Sequence, residues 1–199
     1  MVRLTRKEYE ALIAGRRSAQ QPAAPARRPA KRAAVHPGLP GIPPTPAVEP
    51  LLVGLSGVGR VYTILMPYSE QMLTSNLDRH YMAEARIKKQ LRTDATQMLS
   101  VHRLPRLQRA AIYYVLHPRK LKRARDQGNW APTAKAYIDG LVTPNPHRPT
   151  EHHLLPDDDH EHLLGPTPVM GDPVPSGHAR MSLVIVELLD TQNSKSAAP

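Results

Sequence analysis

Cysteine and phenylalanine are both absent from the chain, and aromatic residues make up only 4% of it. Without cysteine there is no disulfide framework, no thiolate zinc site and no cysteine nucleophile. Long apolar runs are missing too, since none reaches the roughly 20 residues that a bilayer-spanning helix needs. The first residues also lack the apolar stretch of a secretory signal. A cytoplasmic location and no membrane partner are therefore expected. Acidic side chains are in short supply, 17 against 27 Lys and Arg.

Proline and positive charge are abundant instead. There are 22 Pro, many of them in the first fifty positions, in runs such as Pro22-Ala-Ala-Pro25-Ala-Arg-Arg-Pro29. Such a composition buries too little apolar surface to offset the entropy of ordering. The organisation this predicts is a disordered, basic, Pro-rich arm over residues 1–50, one folded domain over 51–190 and a disordered tail over 191–199. The net charge of +10 points to a polyanionic partner, nucleic acid first, because neutralising phosphates releases condensed counterions. Charge of this kind also serves simply to keep a proline-rich chain in solution.

Along the chain, Arg60-Val-Tyr-Thr-Ile-Leu-Met66 is β-branched and aromatic, is closed by Pro67, and reads as a first strand. The glycines before it, Gly54, Gly57 and Gly59, are not followed by the Lys-Ser/Thr of a phosphate loop and make no nucleotide site. Ser75-Asn76-Leu77-Asp78 offers a cap for a helix in which Ala83, Ile87, Leu91, Ala95 and Met98 recur on one stripe. Arg86, Lys88, Lys89 and Arg92 fall outside that stripe, as solvated surface or as a DNA track. Arg79 and His80, at its start, are candidates for reaching a phosphate. Residues 108–116 read as a second strand, stopped by His117-Pro118. From Trp130 the spacing turns helical, with Ala134, Ile138 and Leu141 on one face and Lys135 and Asp139 on another. Gly140 and Pro144 mark its end. Residues 143–155 read as an exposed loop, Leu163 and Leu164 as a short strand, and residues 179–189 as the clearest strand. The expected fold class is α+β, a mixed β-sheet with packed helices.

The densest positive and the densest negative charge lie close together in sequence. Arg119-Lys120-Leu121-Lys122-Arg123-Ala124-Arg125 runs straight into Asp126, and Asp157-Asp158-Asp159 follows the predicted helix. A hard cation such as Mg²⁺ is held by carboxylate oxygens converging from separate elements. Asp126, Asp139, Asp158 and Asp159 converge if the loop before Trp130 lies beside the loop after the helix. Lys135 would then stabilise charge developing on a phosphate, and Asn129 would orient a ligand or cap the turn. The plain alternative is that three Asp in a loop are solvated acid and that Lys135 and Asp139 form a surface pair worth a few tenths of a kcal/mol. His147, His152, His153, His160 and His162 crowd the same region, but a structural zinc site wants fixed ligands, and this segment is Pro-rich and has no Cys.

The order Arg125-Asp126-x-x-Asn129, Lys135-x-x-x-Asp139-x-Leu141 and Leu155-Pro-Asp-Asp-Asp159 resembles the RusA family of Holliday junction resolvases, crossover junction endodeoxyribonucleases often encoded by prophages. The resemblance covers roughly residues 60–189. It implies a homodimeric, Mg²⁺-dependent endonuclease, with Mn²⁺ able to substitute, that cuts four-way DNA junctions in recombination and repair. By position it makes Asp126 the first motif carboxylate, Lys135 the essential lysine, and Asp159 the late catalytic carboxylate, or Asp158 if the register slips. DNA contacts are expected from Arg79, His80, Lys88, Lys89, Arg119, Lys120, Lys122, Arg123, Arg125 and Asn129. One departure stands out. The family motif commonly reads Asp-x-Asp-Asn, and Gly128 occupies the place of the second acid. Either Asp139 or Asp158 supplies the missing oxygen, or the chain is a catalytically weakened or inactive DNA-binding relative.

Overall fold

Continuous apolar runs need cover on both faces of a sheet, and the central strands here find it. The computed structural model describes residues 41–69, 71–119, 126–142 and 153–189, all within the compact unit Pro37–Pro199. The first forty residues and the tail 191–199 lie outside the described residues. Strands β1 (Val58–Leu65), β2 (Ala110–His117), β3 (Leu163–Met170) and β4 (Arg180–Leu188) form one sheet in the order β1-β4-β2-β3. β4 runs antiparallel to both β1 and β2, whereas β2 and β3 are parallel. Helices α1 (Tyr81–Val101) and α2 (Ala131–Val142) complete the fold. The mixed sheet with helices is the α+β class expected from the sequence.

The central strands are buried on both sides, which is why β2 and β4 are almost continuously apolar. Ile64, Ile112, Tyr114, Leu183 and Ile185 pack with Ile87 and Leu91 of α1 and Ile138 and Leu141 of α2. Full burial of each such side chain contributes about 1.5–3 kcal/mol. On the opposite face, Ala111, Val115, Val184 and Val186 are covered by Val48, Leu51, Leu52 and Leu55. Tyr113 fixes this cover by donating its O–H to the Leu51 carbonyl at 2.7 Å, and Gly41 N bonds the Ser176 carbonyl at 3.1 Å. Residues 41–50, expected in the disordered arm, therefore belong to the packed unit, because the helices leave this sheet face open and Val48 helps close it.

Three further expectations are corrected. β3 is eight residues long rather than a Leu163-Leu164 stub. Its Pro166 and Pro168 suit an edge strand, where a missing N–H costs no ladder bond. Residues 154–155, expected in an exposed loop, are buried. Leu154 N bonds Leu141 O at 2.9 Å, and Leu107 N bonds Leu154 O at 2.7 Å. Gly140 does not end its helix, which continues to Val142. A Cβ at Gly140 would lie 2.3 Å from the Arg92 carbonyl oxygen, so the glycine is what lets α1 and α2 approach so closely.

Candidate active site

Asp126 closes the basic run and opens a 3-10 turn, Gln127–Trp130, that leads directly into α2. Its Oδ1 accepts a hydrogen bond from Gly128 N at 2.8 Å, an N-cap that satisfies a donor the turn would otherwise leave open. The cap is thus Asp126 rather than Asn129. Asn129 is tied instead to the segment before α1. Its carbonyl accepts from Ser75 N at 2.9 Å, and its Oδ1 accepts from Ser75 Oγ at 3.3 Å. Tyr114 donates to the Gln127 carbonyl at 3.3 Å, and burial, helped by the charge of Asp126, raises its phenol above the ordinary value. A buried strand residue thereby anchors the turn.

Lys135 stands on the second turn of α2, with its Nζ 3.0 Å from Asp139 Oδ1 and donating to Asp158 Oδ2. Asp139 also accepts from Arg92 of α1, which the close approach at Gly140 brings within reach. The result is an alternating series Arg92, Asp139, Lys135, Asp158, drawn from both helices and the acidic loop. Hydrogen bonding to Asp158 is the main cause that raises the Lys135 ammonium above its ordinary value. Burial alone would push the Asp139 carboxyl up, but its hydrogen bonds to Arg92 and Lys135 and their charges outweigh this and hold it low.

Asp158 reaches Lys135 because Leu154 and Leu155 pin the loop to the core just before it. Asp159, its neighbour, points elsewhere in function. Its Oδ1 accepts from Glu161 N at 2.9 Å, from His162 N at 3.1 Å and from the His162 ring at 2.8 Å. The His162 contact is the main reason its carboxyl lies below the usual range. Asp159 thus organises the turn into β3, and Asp158 is the acid that meets the lysine.

Of the four expected metal carboxylates, Asp139 and Asp158 are brought to one ammonium, while Asp126 and Asp159 are engaged in local turns. Among the described residues no group of three or more His, Asp or Glu side chains is gathered in a way that could hold a metal ion. The donor chemistry nonetheless suits a hard dication. Asp126, Asp139 and Asp158 offer carboxylate oxygens only, with no thiolate or imidazole. Asp126 Oδ2 also has no hydrogen-bond partner among the described residues.

The expected DNA contacts divide. Lys88 is paired with Glu84 at 2.8 Å, and Lys89 is exposed. His80 sits at the N-cap of α1 without a side-chain cap bond and stacks near Tyr81, ring centroids 4.9 Å apart. Arg79 and Arg119 line a common pocket. Lys120, Lys122, Arg123 and Arg125 lie outside the described residues, as do His147 and His152. No protein-family model matches the chain, and no curated protein matches it. What the site can do is therefore read from its own residues.

Sequence reasoning missed Arg92 as a site residue. Its partner Asp139 is 47 positions away, and no local pattern links a surface arginine to a distant helix. Gly140, read as a stop, was the available clue, since a glycine inside a helix marks a close approach as readily as an end.

Proposed function

We propose that the chain is a metal-dependent endonuclease of branched DNA, working as the RusA-like resemblance implies on four-way junctions. The observation that carries this reading is Lys135, held between the carboxylates of Asp139 and Asp158 on the helix that follows the turn Asp126 caps. An ammonium fixed among carboxylates from separate elements has the composition of a phosphodiester-cleaving centre. Asp139 and Asp158, which meet at Lys135, are the carboxylates that would hold Mg²⁺, and Asp126 would have to move in from its turn to join them. When bound, the metal would supply charge neutralisation and an activated water. Lys135 would turn from Asp158 toward the phosphate and stabilise the negative charge that develops there, while Arg92 keeps Asp139 ionised and in place. DNA junctions have two-fold symmetry, so a homodimer with one centre per protomer is the simplest way to make paired incisions.

A second reading is favoured by Gly128, which puts no carboxylate beside Asp126. On that reading the chain binds junctions without cutting them. Incubating the purified protein with a synthetic four-way junction, with and without Mg²⁺ or Mn²⁺, separates the two. Metal-dependent cutting lost in Lys135→Ala and Asp126→Asn supports the nuclease. Binding without cutting by the parent protein supports the inactive relative. A protein that neither binds nor cuts junctions overturns both.

A further inference from the structure

Four of the described cations have a carboxylate partner: Arg60 with Glu187 at 3.1 Å, Lys88 with Glu84 at 2.8 Å, Arg92 with Asp139, and Lys135 with Asp139 and Asp158. Arg79 and Arg119 do not. Among the described residues neither guanidinium has an ion pair or hydrogen bond. Arg79 Nε is moreover buried with no acceptor. A buried guanidinium N–H left without an acceptor is uncommon, and an absent ligand is one of its ordinary explanations.

Both arginines line one pocket of about 270 Å³, together with Ser69, Thr74, Trp130 and His178. No acidic residue is among its described lining residues. Thr74 Oγ1 accepts from Asn76 N at 3.3 Å, which leaves its O–H able to donate outward. The volume lies just below the roughly 300–1,000 Å³ of small-molecule sites, so it suits a single phosphate group with its sugar rather than a whole dinucleotide. Paired guanidiniums match phosphate oxygens in a fork geometry. Trp130 adds an apolar wall, and it ends the same turn that Asp126 begins.

We propose that this pocket binds one backbone phosphodiester of a DNA strand and so holds the strand beside Asp126. The choice of DNA rests on the nuclease reading above; the phosphate chemistry does not. Four separate stretches build the pocket: Ser69 with residues 72–79, Arg119, Trp130 and residues 178–179. It is therefore a product of the fold and not of one basic run.

The test uses the full chain without divalent metal, so that binding is read apart from cutting. Arg79→Gln and Arg119→Gln should each weaken junction binding about tenfold or more and flatten the salt dependence by about one phosphate contact. Arg79→Lys, which keeps the charge and loses the fork, should fall between. If Arg79→Gln unfolds, Arg119→Gln and Arg79→Lys still decide the matter. Parent-like affinity and salt slope in these variants would overturn the pocket while leaving cleavage by the parent, and hence the nuclease reading, intact. If the parent neither binds nor cuts junctions, the nuclease reading fails, and pyrophosphate becomes the probe. Thermal stabilisation of the parent by pyrophosphate, lost in Arg119→Gln, would keep a phosphate pocket without DNA; no such stabilisation would overturn it.

Discussion

The Lys135 centre on α2 and the Arg79–Arg119 pocket, lined by Trp130 just before that helix, handle charge in opposite ways. At the centre every charge is answered, with Arg92, Asp139, Lys135 and Asp158 alternating in sign. In the pocket two guanidiniums share a concavity with no acid among its described lining residues. A balanced cluster can exchange partners, as the proposed nuclease centre would require in releasing Lys135 to a phosphate. An unbalanced one attracts an anion and holds it. Binding and chemistry should therefore fail separately when each is broken, and the largest expected effects follow from this division.

The strongest break in the centre is Asp158→Asn. It removes the carboxylate that reaches Lys135 from the acidic loop and, on the proposed function, should lower junction cleavage by about 10²–10³-fold, with binding equal or tighter as a negative charge leaves the proposed phosphate site. Asp159→Asn should cut far better than Asp158→Asn, because Asp159 serves the turn before β3. Single-turnover cleavage of both variants side by side is the measurement. If Asp159→Asn were the damaging change and Asp158→Asn cut like the parent, the assignment of the late carboxylate would be reversed.

That assignment shows what the sequence could and could not say. Three consecutive aspartates are equivalent in a sequence; only the burial of Leu154 and Leu155 sets which one faces α2. Strands β1, β2 and β4 were legible because β-branched runs of strand length carry their own signal. β3 was not, since Pro166 and Pro168 read as breakers until their edge position is known. Residues 41–50 shared the composition of the arm, and their packing depends on a sheet face that exists only after folding. The Lys135–Asp139 pair was visible as a helical spacing, whereas Arg92 and the pocket needed contacts across the chain.

Gly140→Ala sharpens the comparison from the side of the scaffold. A Cβ there would press on the Arg92 backbone, with its carbonyl oxygen at 2.3 Å. Part of α1 must move, and with it the Arg92 contact to Asp139. A stability loss of about 1–3 kcal/mol is expected, measured by urea unfolding, together with reduced cleavage. Phosphate-pocket affinity should change much less, since no lining residue belongs to the α1–α2 contact. Equal losses of cutting and binding would mean that the two regions are not separable.

Gly128→Asp should act more gently. The position has no positive φ, and an added Cβ meets Asp126 Oδ1 at 3.1 Å, so the neighbouring carboxylate must shift by a few tenths of an ångström. The change adds the acid that the RusA-like motif carries at this place. If the centre lacks a ligand, Mg²⁺-dependent cleavage should rise several-fold; if Asp139 or Asp158 already fills that role, the rate should stay within about twofold, less than the 1.4 kcal/mol that a tenfold change represents. A rise with no change in junction affinity would again separate chemistry from binding.

The smallest effect concerns acid. Asp139 has a folded-state carboxyl value below the ordinary 3.8, because its bonds to Arg92 and Lys135 outweigh burial. Its contribution to stability is therefore fully present above about pH 4 and is lost as pH falls through the lower folded value. Lys135 works in the opposite sense. Its raised value keeps the pair intact below about 10.5 and loosens it as pH rises past the folded value. In between, the stability difference between the parent and Asp139→Asn should be flat and no more than about 1 kcal/mol, given how exposed Lys135 is. Urea midpoints of both proteins from pH 7 down to pH 2.5 measure it. The difference should shrink below pH 4, where the parent's carboxyl takes up a proton and comes to resemble the amide. A difference that persists unchanged to pH 2.5 would mean that the charge on Asp139 is not what holds the two helices' cations in place.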